Sequence, residues 1–331
     1  MTDTFATFQD AYLHHLRASF EQPEFTNSPR GQDSFERLGV SFRLTDPAQR
    51  HIRLPARKTN LVFNFAEALW YLSGTDDLAH IAYYAPNMVK YSADGTTLAG
   101  TAYGTRIFRH RGGLDQWRSV QETLAADRDS KRAVIQIFEA DELTVPGNID
   151  VACTLALQFM IRDDRLHAVG FMRANDAFRG VVSDVFSFTF LLEVMARQLG
   201  LEIGTYTHHV GSFHVYKSDA DWVNRVLDQD PGDHDGEPFP AMPHGDVRLH
   251  LEQVLDWERA LRLDDRQLDA DRLQALDLPE YWRHVLGLFE LYRQIKHGTH
   301  QDPRVLDLLP AVYRDTVITR WPGLAAAHAV R

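Results

Sequence analysis

Two periods of hydrophobic and polar residues run along the chain, and each predicts one kind of secondary structure. Apolar residues recur at helical spacing in several segments, namely 5–20, 60–74, 183–200, 247–262 and 280–297. Runs rich in β-branched and aromatic residues, typical of strands, occupy 37–44, 132–138, 153–161, 166–173 and 205–216. The tetrapeptide Arg-Asp-Asp-Arg joins the strands at 153–161 and 166–173, which predicts a hairpin.

Glycine and serine residues mark the predicted ends of two helices. Gly74 and Gly200 end the helices at 60–74 and 183–200, and glycine is common at this C-terminal position. Ser183 is the predicted N-cap of the second helix. Residues 85–110 are rich in Tyr, Gly and Ala without a clear period, and we expect them to be irregular.

The composition changes between residues 226 and 246, which are rich in Pro, Gly and Asp. Such a stretch is either a domain boundary or a long surface loop. The length of 331 residues is enough to bury a large core. We favour a single domain over residues 1–331, in which residues 243–331 form a helical extension.

The formal net charge of −11 argues against a surface that binds duplex nucleic acid, because phosphate binding requires a basic footprint. It still permits a small phosphorylated ligand held by a few buried arginines. The single cysteine, Cys153, excludes an internal disulfide and fits a reducing compartment. The N-terminus has neither a basic leader nor an apolar signal core, and Glu193 and Arg197 interrupt the longest apolar run. We therefore expect a cytoplasmic protein with no membrane span.

Cys153 has two interpretations from its surroundings in the sequence. A lone cysteine on a strand is most often a small core residue. As a nucleophile it would need a nearby cation to lower the pKa of its thiol. Arg173 is the candidate cation, because the strands at 153–161 and 166–173 are expected to pair.

The candidate charged residues also have structural alternatives. Arg173 and Asp176 could form an exposed ion pair, worth about 0–1 kcal/mol. Glu67 lies among apolar residues of a helix, and the periodicity alone favours the edge of that face over a pocket that raises the pKa of the carboxyl, as a general base requires. Lys131 and Arg132 would, on their own, be a solvated pair.

His208 and His214 have the same parity on the strand at 205–216, which raises the question of a metal site. No third ligand at suitable spacing accompanies them. A hydrogen-bonding histidine is therefore the better interpretation, and we expect no metal.

Taken in order, several of these segments resemble the thymidylate synthase family. They are EALWYL, SKR, ACTLALQF, MRANDAFRG, SDVFSF and GSFHVY, which begin at residues 67, 130, 152, 172, 183 and 211. The corresponding run in that family is E-L-L-W-F-L, Arg-Arg, P-C-H-x-x-x-Q-F, Q-R-S-x-D-x-x-x-G, F-N-I-A and G-D-x-H-x-Y. The spacing from the cysteine to H-x-Y is reproduced without a gap, and the resemblance covers about residues 28–242. It implies an α+β, three-layer fold with a large twisted mixed sheet at the interface of a homodimer, followed by C-terminal helices.

The resemblance also implies a role for each matching residue. Cys153 would add as a thiolate to C6 of a pyrimidine nucleotide, Glu67 would organise water and proton transfers, and Tyr103 and Asp184 fall on further catalytic positions. The implied substrate-binding residues are Arg30, Lys131, Arg132, Gln158, Arg173, Ala174, Asp184, His214 and Tyr216. The residues implied to bind 5,10-methylenetetrahydrofolate, the co-substrate, are Asp176, Gly180 and Glu67.

Among these residues, arginine side chains suit the 5′-phosphate because the guanidinium is planar and permanently charged. Arg30 and Arg173 are implied to bind the phosphate of the same subunit's nucleotide, whereas Lys131 and Arg132 reach the partner's site in a homodimer. His214 and Tyr216 match the pair that binds the ribose.

One departure from the family concerns the base, because Asp184 replaces the asparagine that reads uracil. The asparagine amide donates to O4 and accepts from N3–H, whereas cytosine offers N4–H₂ as a donor and N3 as an acceptor. A carboxyl group can accept from N4–H and share a proton with N3. A buried mismatch of one hydrogen bond costs about 1–3 kcal/mol. Asp184, like the aspartate of the family's deoxycytidylate hydroxymethylases, therefore predicts a cytidylate as substrate.

Two departures concern the sugar and phosphate, since Ala174 replaces a serine and Lys131 replaces an arginine. Both replacements remove bulk and could admit a ribose 2′-OH. The pattern resembles the CMP 5-hydroxymethylases of nucleoside-antibiotic pathways, such as the mildiomycin pathway. The alternative is neutral drift in a site with redundant arginines.

The expected reaction is therefore transfer of a one-carbon unit from 5,10-methylenetetrahydrofolate to C5 of CMP, with addition of water, which gives 5-hydroxymethyl-CMP and tetrahydrofolate. Thr154 in place of the family histidine suits entry of water at the exocyclic methylene. The alternatives are a dCMP hydroxymethylase, a reductive pyrimidine-nucleotide C5-methyltransferase, and an inactive homologue that only binds nucleotides.

Overall fold

The computed structural model of the chain describes residues 2–230, 237–299 and 302–325. Part of the predicted Pro/Gly/Asp-rich loop (231–236) and the end of the predicted helical extension (326–331) lie outside the described residues. The strands are β1 (Asp3–Phe5), β2 (Phe25–Asn27), β3 (Ser34–Leu44), β4 (Val134–Gln136), β5 (Thr154–Arg162), β6 (Arg165–Asp176) and β7 (Glu202–Tyr216).

The helices are also numbered in chain order. The first six are α1 (Phe8–Glu21), α2 (Leu61–Ser73), α3 (Leu78–Tyr84), α4 (Tyr103–Phe108), α5 (Gln116–Ala126) and α6 (Gly180–Gln198). The others are α7 (Ala220–Leu227), α8 (Val247–Arg262), α9 (Ala270–Ala275), α10 (Glu280–His297), α11 (Arg304–Asp307) and α12 (Ala311–Arg320). No helix among the described residues is long and apolar enough to cross a membrane.

The strands form a mixed sheet of seven strands in the order β1-β3-β7-β6-β5-β4, with β2 paired to β3. β6 and β7 are parallel, as are β1 and β3, and the other neighbours are antiparallel. The predicted hairpin is confirmed, because β5 and β6 pair across a turn in which Asp163 and Asp164 have positive φ. A mixed sheet covered by helices is an α+β fold, so the predicted class is also confirmed.

Helices α2 and α6 pack against each other beside the sheet. Phe65 of α2 meets Phe186 of α6 edge to face, with ring centroids 4.9 Å apart, and both side chains are fully buried. Burial of one such side chain contributes about 1.5–3 kcal/mol to stability. Glu67 of α2 and Ser187 of α6 are buried polar side chains on the same helix pair. The pair therefore holds an ionisable group that its packing alone does not require.

The alternation of buried and exposed side chains shifts at the same level in the parallel strands β6 and β7. The buried positions of β6 are Leu166, Ala168, Gly170, Met172 and then Asn175. Those of β7 beyond residue 205 are Tyr206, Thr207, His208, Val210, Phe213 and Val215. At the shift, a Cβ on Gly211 would lie 2.8 Å from the carbonyl oxygen of Arg173, so only glycine fits there. The change of parity turns Asn175 into the interior beside α6.

The C-terminal helices pack on the N-terminal half of the chain. The hydroxyl of Tyr84 on α3 donates to Glu258 of α8 at 2.6 Å. The hydroxyl of Tyr292 on α10 donates to the carbonyl oxygen of Tyr83 at 3.1 Å. Residues after the Pro/Gly/Asp-rich loop thus share buried contacts with α3, and α10 also contacts α2.

The prediction that Ser183 is an N-cap is wrong, because α6 begins at Gly180. The carboxylate of Asp176 accepts the backbone N–H groups of Phe178 and Arg179, so the chain turns into the helix earlier than expected. Ser183 lies in the first turn, and its hydroxyl donates to the carbonyl oxygen of Gly180 at 3.2 Å. The helix ends as predicted, with Gly200 at φ 68.

Two other boundaries differ from the expectation. The strand predicted at 132–138 is reduced to β4, because the Gln116 side chain bonds both the N–H and the carbonyl oxygen of Gln136 and replaces a neighbouring strand there. Residues 85–110, expected to be irregular, contain α4 and a 3-10 segment at Pro86–Tyr91. Both are too short to show a period in the sequence.

Candidate active site

Cys153 lies directly before β5, half-buried, and β6 carries a cation to it. An Nη atom of Arg173 lies 3.6 Å from the Cys153 Sγ. The same guanidinium donates to the carbonyl oxygens of Val151 and Ala152, both at 2.8 Å, which fixes its position. Arg173 therefore contacts Cys153 and the backbone that precedes it. The alternative prediction of an Arg173–Asp176 ion pair is wrong.

Despite this cation, burial raises the pKa of the Cys153 thiol above its usual value. The positive charges of Arg173 and Arg30 lower that pKa, whereas the charge of Asp184 raises it. Burial is the largest effect, so the thiol is the resting form in the site without a ligand. A role as nucleophile requires that the bound substrate favour the thiolate.

Glu67 occupies the buried position rather than the edge of its helix face, since its exposed fraction is 6%. Ser187 of α6 donates to Glu67 Oε2 at 3.1 Å. Burial and the charge of Asp184 raise the pKa of Glu67, against hydrogen bonds from Ser187, Ser183 and Tyr71. A buried carboxyl with a raised pKa can hold and release a proton near neutral pH, as a general acid or base must.

Asp184 lies one turn into α6 and accepts a hydrogen bond from the amide of Asn175 at 2.7 Å. Burial raises the pKa of Asp184, the Asn175 bond lowers it, and the charge of Asp176 raises it. Asp184 thus has a protonated form available at a higher pH than an exposed carboxyl. Its proximity to Cys153 and Glu67 is seen in its effect on the pKa of both groups.

Tyr103 begins α4 and points its hydroxyl at the chain next to Cys153. This hydroxyl accepts from the backbone N–H of Thr154 at 3.3 Å, and the Tyr103 ring stacks on Tyr71 with centroids 4.9 Å apart. Burial raises the pKa of Tyr103 well above its usual value, so its phenol stays protonated. The structure therefore places the Tyr103 hydroxyl at the start of β5, next to Cys153.

Asp176 and Gly180 form the turn between β6 and α6. Asp176 Oδ1 accepts N–H groups at 2.8 and 2.9 Å, and Oδ2 is the carboxylate oxygen left for a ligand. A Cβ on Gly180 would lie 3.2 Å from the Asn175 amide and 3.5 Å from Asp184 Oδ2. The turn thus combines a carboxylate oxygen with a close approach of the backbone to Asn175 and Asp184, and that oxygen can accept from a ligand that carries N–H donors.

The end of β7 contributes a polar pair next to this turn. Asp176 is in register with His214 across the β6–β7 ladder, and the His214 and Tyr216 rings meet edge to face at 5.1 Å. Arg30, in an exposed turn with φ 53, lies close enough to lower the pKa of both Tyr216 and Cys153. His214 and Tyr216 thus lie beside the Asp176 turn, and Tyr216 and Arg30 lie near Cys153.

Three predicted residues are not brought to this group within one chain. Gln158 lies about 17 Å further along β5, at about 3.3 Å per residue, and donates to the carbonyl oxygen of Lys131 at 2.8 Å. Lys131 and Arg132 are exposed before β4. Ala174, by contrast, lies beside Arg173 on β6, where a serine would add a hydroxyl.

Sequence reasoning missed Asn175, Ser187 and the connection of His208 to the site. Asn175 holds Asp184, and Ser187 holds Glu67. His208 was predicted to form a hydrogen bond, and it bonds both Tyr206 and Asn175. The available signal was Ser183, Asp184 and Ser187 at helical spacing, which makes a polar stripe on an apolar helix.

Asp184→Asn is expected to make the folded protein less sensitive to rising pH. A carboxyl whose pKa is raised in the folded state stabilises it below the unfolded-state pKa, and that stability is lost as the pH rises through the folded-state pKa. The loss starts near pH 4, and each unit of raised pKa is worth about 1.4 kcal/mol. Thermal unfolding from about pH 5 to 8 should show a shallower decline in the variant. Asp163→Asn, in the exposed turn, is the control, and equal slopes for all three proteins would contradict the prediction.

The chain matches a protein-family model and is similar to three phage proteins. The family model described as thymidylate synthase matches residues 10–243. A deoxyuridylate hydroxymethyltransferase of Delftia phage PhiW-14 is 31% identical over 65% of this chain and 63% of that protein. The protein of the same name from Bacillus phage SP01 is 33% identical over 58% and 53%. That from Pseudomonas phage M6 is 34% identical over 83% and 78%. The chain thus spans less than two thirds of the first two relatives.

Proposed function

The chain belongs to the thymidylate synthase family, and on that premise we propose that it hydroxymethylates C5 of CMP. The one-carbon donor is 5,10-methylenetetrahydrofolate, and the products are 5-hydroxymethyl-CMP and tetrahydrofolate. Carbon is transferred at the oxidation level of formaldehyde, so the reaction needs water but no reductant. Reductive methylation would instead use hydride from the folate and give dihydrofolate.

The observation that carries the choice of base is the carboxyl of Asp184. It lies on the first turns of α6, and burial raises its pKa, so that it can hold a proton. In that form it donates to N3 of cytosine through one oxygen and accepts from N4–H through the other. Uracil presents the opposite pattern, with a donor at N3 and an acceptor at C4. With the proton held on the oxygen that faces N3, the carboxyl would be mismatched to uracil at this buried site, which supports cytidylate over uridylate.

Cys153 supplies the nucleophile in this proposal. Addition of its thiolate to C6 makes C5 a carbon nucleophile, which then accepts the one-carbon unit. Arg173, 3.6 Å from the sulfur, stabilises the thiolate that forms when the substrate is bound. Arg173 and Arg30 also provide charge for the 5′-phosphate, and His214 and Tyr216 lie next to the position of the sugar.

Asp176 and Gly180 would hold the folate, with the free carboxylate oxygen of Asp176 accepting from pterin N–H groups. Glu67, buried and bonded to Ser187, moves the proton of the C5 position and directs the water that adds to the exocyclic methylene. The hydroxyl of that water joins the methylene carbon and its proton passes to Glu67, while the electron pair of the C6–S bond leaves with the Cys153 sulfur and the C5=C6 double bond is restored.

The sheet supports a homodimer, since its strands expose the large apolar side chains of Leu38, Val134 and Leu155. Exposed apolar side chains of this size would be covered in a dimer. Lys131 and Arg132, exposed before the edge strand β4, are free to reach a partner's site. Gln158 also lies near Lys131 and would join that boundary.

Incubation with methylenetetrahydrofolate and each of CMP, dCMP, UMP and dUMP, followed by mass analysis, tests the proposal. We expect CMP to gain one carbon and one oxygen, without formation of dihydrofolate. The relatives' name, deoxyuridylate hydroxymethyltransferase, makes dUMP the competing substrate. Preferred conversion of dUMP, or a methyl product, would overturn the proposal.

The Ala174→Ser/Lys131→Arg double variant is expected to shift the sugar preference toward deoxyribose. The two changes restore bulk next to the sugar and phosphate, which should disfavour a ribose 2′-OH by roughly tenfold or more. The kcat/KM ratio of CMP to dCMP measures the effect. An unchanged ratio would leave the assignment of these two residues to sugar selection without support.

A further inference from the structure

A chain of hydrogen bonds runs from the interior of β7 to the carboxyl of Asp184. The hydroxyl of Tyr206 lies 2.7 Å from His208 Nδ1, and His208 Nε2 lies 3.0 Å from Asn175 Oδ1. Asn175 Nδ2 then donates to Asp184 Oδ2 at 2.7 Å. We call these three residues behind Asp184, Tyr206, His208 and Asn175, the relay.

The direction of every bond in the relay follows from its ends. The Asn175 amide nitrogen faces a carboxylate oxygen, so its carbonyl oxygen must face His208 and accept from Nε2–H. Nδ1 of the imidazole is then an acceptor, and the Tyr206 hydroxyl donates to it. Burial lowers the pKa of His208 to about 3, so the ring is neutral, as this arrangement requires. All three donors point toward Asp184, which strengthens each bond in turn.

The backbone leaves space for the relay at a specific point. Gly170 is in register with His208 across the parallel β6–β7 pair. A Cβ at Gly170 would lie 2.5 Å from the Tyr206 hydroxyl. Tyr206 and His208 are completely buried, and Asn175 is 3% exposed. Three polar side chains in the core, fully paired among themselves, indicate a function beyond packing.

We infer that the relay residues His208 and Asn175 are positioning residues that keep Asp184 Oδ2 an acceptor and so bias the site toward cytosine. The inference rests on the proposed function. Because Oδ2 accepts from Asn175, a proton on the carboxyl resides on Oδ1. Oδ1–H then donates to cytosine N3, while the second lone pair of Oδ2 accepts from N4–H.

The same arrangement disfavours uracil. To read uracil, Oδ1 would accept from N3–H and Oδ2 would have to donate to O4. The Asn175 N–H already points at Oδ2 and opposes a proton there. The other charged or titratable groups near Asp184 are Glu67, Tyr71, Tyr103, Asp176 and Cys153. Among the described residues none of these five donates a hydrogen bond to Oδ2, so the bias depends on the relay.

His208→Phe tests this directly, because it keeps a ring in the core and removes the donor to Asn175. We expect the ratio of kcat/KM for CMP to that for UMP, followed as exchange of the C5 hydrogen, to fall at least about tenfold. His208→Gln keeps one amide N–H donor, and it should recover most of the ratio. The matched control is His51→Gln, another buried histidine, whose Nε2 lies 2.8 Å from the Thr316 hydroxyl.

Tyr206→Phe provides a second test if His208→Phe does not fold. It removes one hydroxyl, leaves the tautomer of His208 unfixed, and should lower the same ratio about threefold or more. An unchanged ratio in a folded relay variant overturns the inference, and it leaves the proposed function intact if the wild-type protein still converts CMP. If the wild-type protein prefers a uridylate, the proposed function fails instead. The relay is then supported only if its variants still change the base ratio relative to the His51→Gln control.

Discussion

Cys153→Ser is expected to abolish exchange of the C5 hydrogen of CMP and all product formation. The hydroxyl is far less acidic than a thiol, and Arg173 at 3.6 Å cannot make it an effective nucleophile. Loss of a nucleophile lowers kcat by roughly 10³-fold or more. Exchange measured by loss of deuterium from C5 reports the addition step without the folate, so it isolates the role of the sulfur.

The fold and the nucleotide site should survive this substitution. Cys153 is half-buried, serine is of similar size, and the Arg173 guanidinium stays fixed by the carbonyl oxygens of Val151 and Ala152. Titration calorimetry should therefore show CMP binding within a few-fold of the wild-type value. Exchange that persists unchanged would show that Cys153 is not the nucleophile. If the variant loses both CMP binding and exchange, the cause is misfolding, and thermal unfolding checks this.

Asp184→Asn is expected to move the base preference from cytidylate to uridylate. The introduced amide donates to O4 and accepts from N3–H, which matches uracil and mismatches cytosine at two positions. At about 1–3 kcal/mol for each buried mismatch, the ratio of kcat/KM for CMP to that for UMP should change by about 100-fold or more. To donate to O4, the introduced amide places its nitrogen where Oδ2 was, so the Asn175 amide must turn over to accept from it, and His208 must take its other tautomer.

The control for this variant is Asp163→Asn, the same chemical change in the exposed β5–β6 turn. It should leave both kcat/KM values as in the wild-type protein. A base ratio in Asp184→Asn that equals the wild-type ratio would contradict the assignment of Asp184 to base recognition, even if total activity falls.

The sequence predicted the elements with a strong period and missed those built by distant contacts. The β5–β6 hairpin was predictable because Asp163 and Asp164 suit its turn and both flanking runs are rich in residues that favour strands. The start of α6 was not, because Asp176 captures two N–H groups ahead of the predicted cap at Ser183. The six residues of α4 are too few for a helical period.

The candidate site divides in the same way. The hairpin alone brings Arg173 to Cys153, so this contact followed from the sequence. The burial of Glu67 depends on α2 packing against α6, for which periodicity favoured the wrong position. The contact of Asn175 with His208 joins residues 33 positions apart through the parallel β6–β7 pair, a pairing that the sequence alone does not specify.

The most direct measurement is a crystal structure of the protein with CMP bound. We expect the Cys153 sulfur at bonding or contact distance from C6 of the pyrimidine, with the Asp184 carboxyl facing N3 and N4 in the plane of the ring. A ring whose C6 lies away from that sulfur, or an Asp184 side chain turned away from the base, would contradict the proposed chemistry and the choice of cytosine.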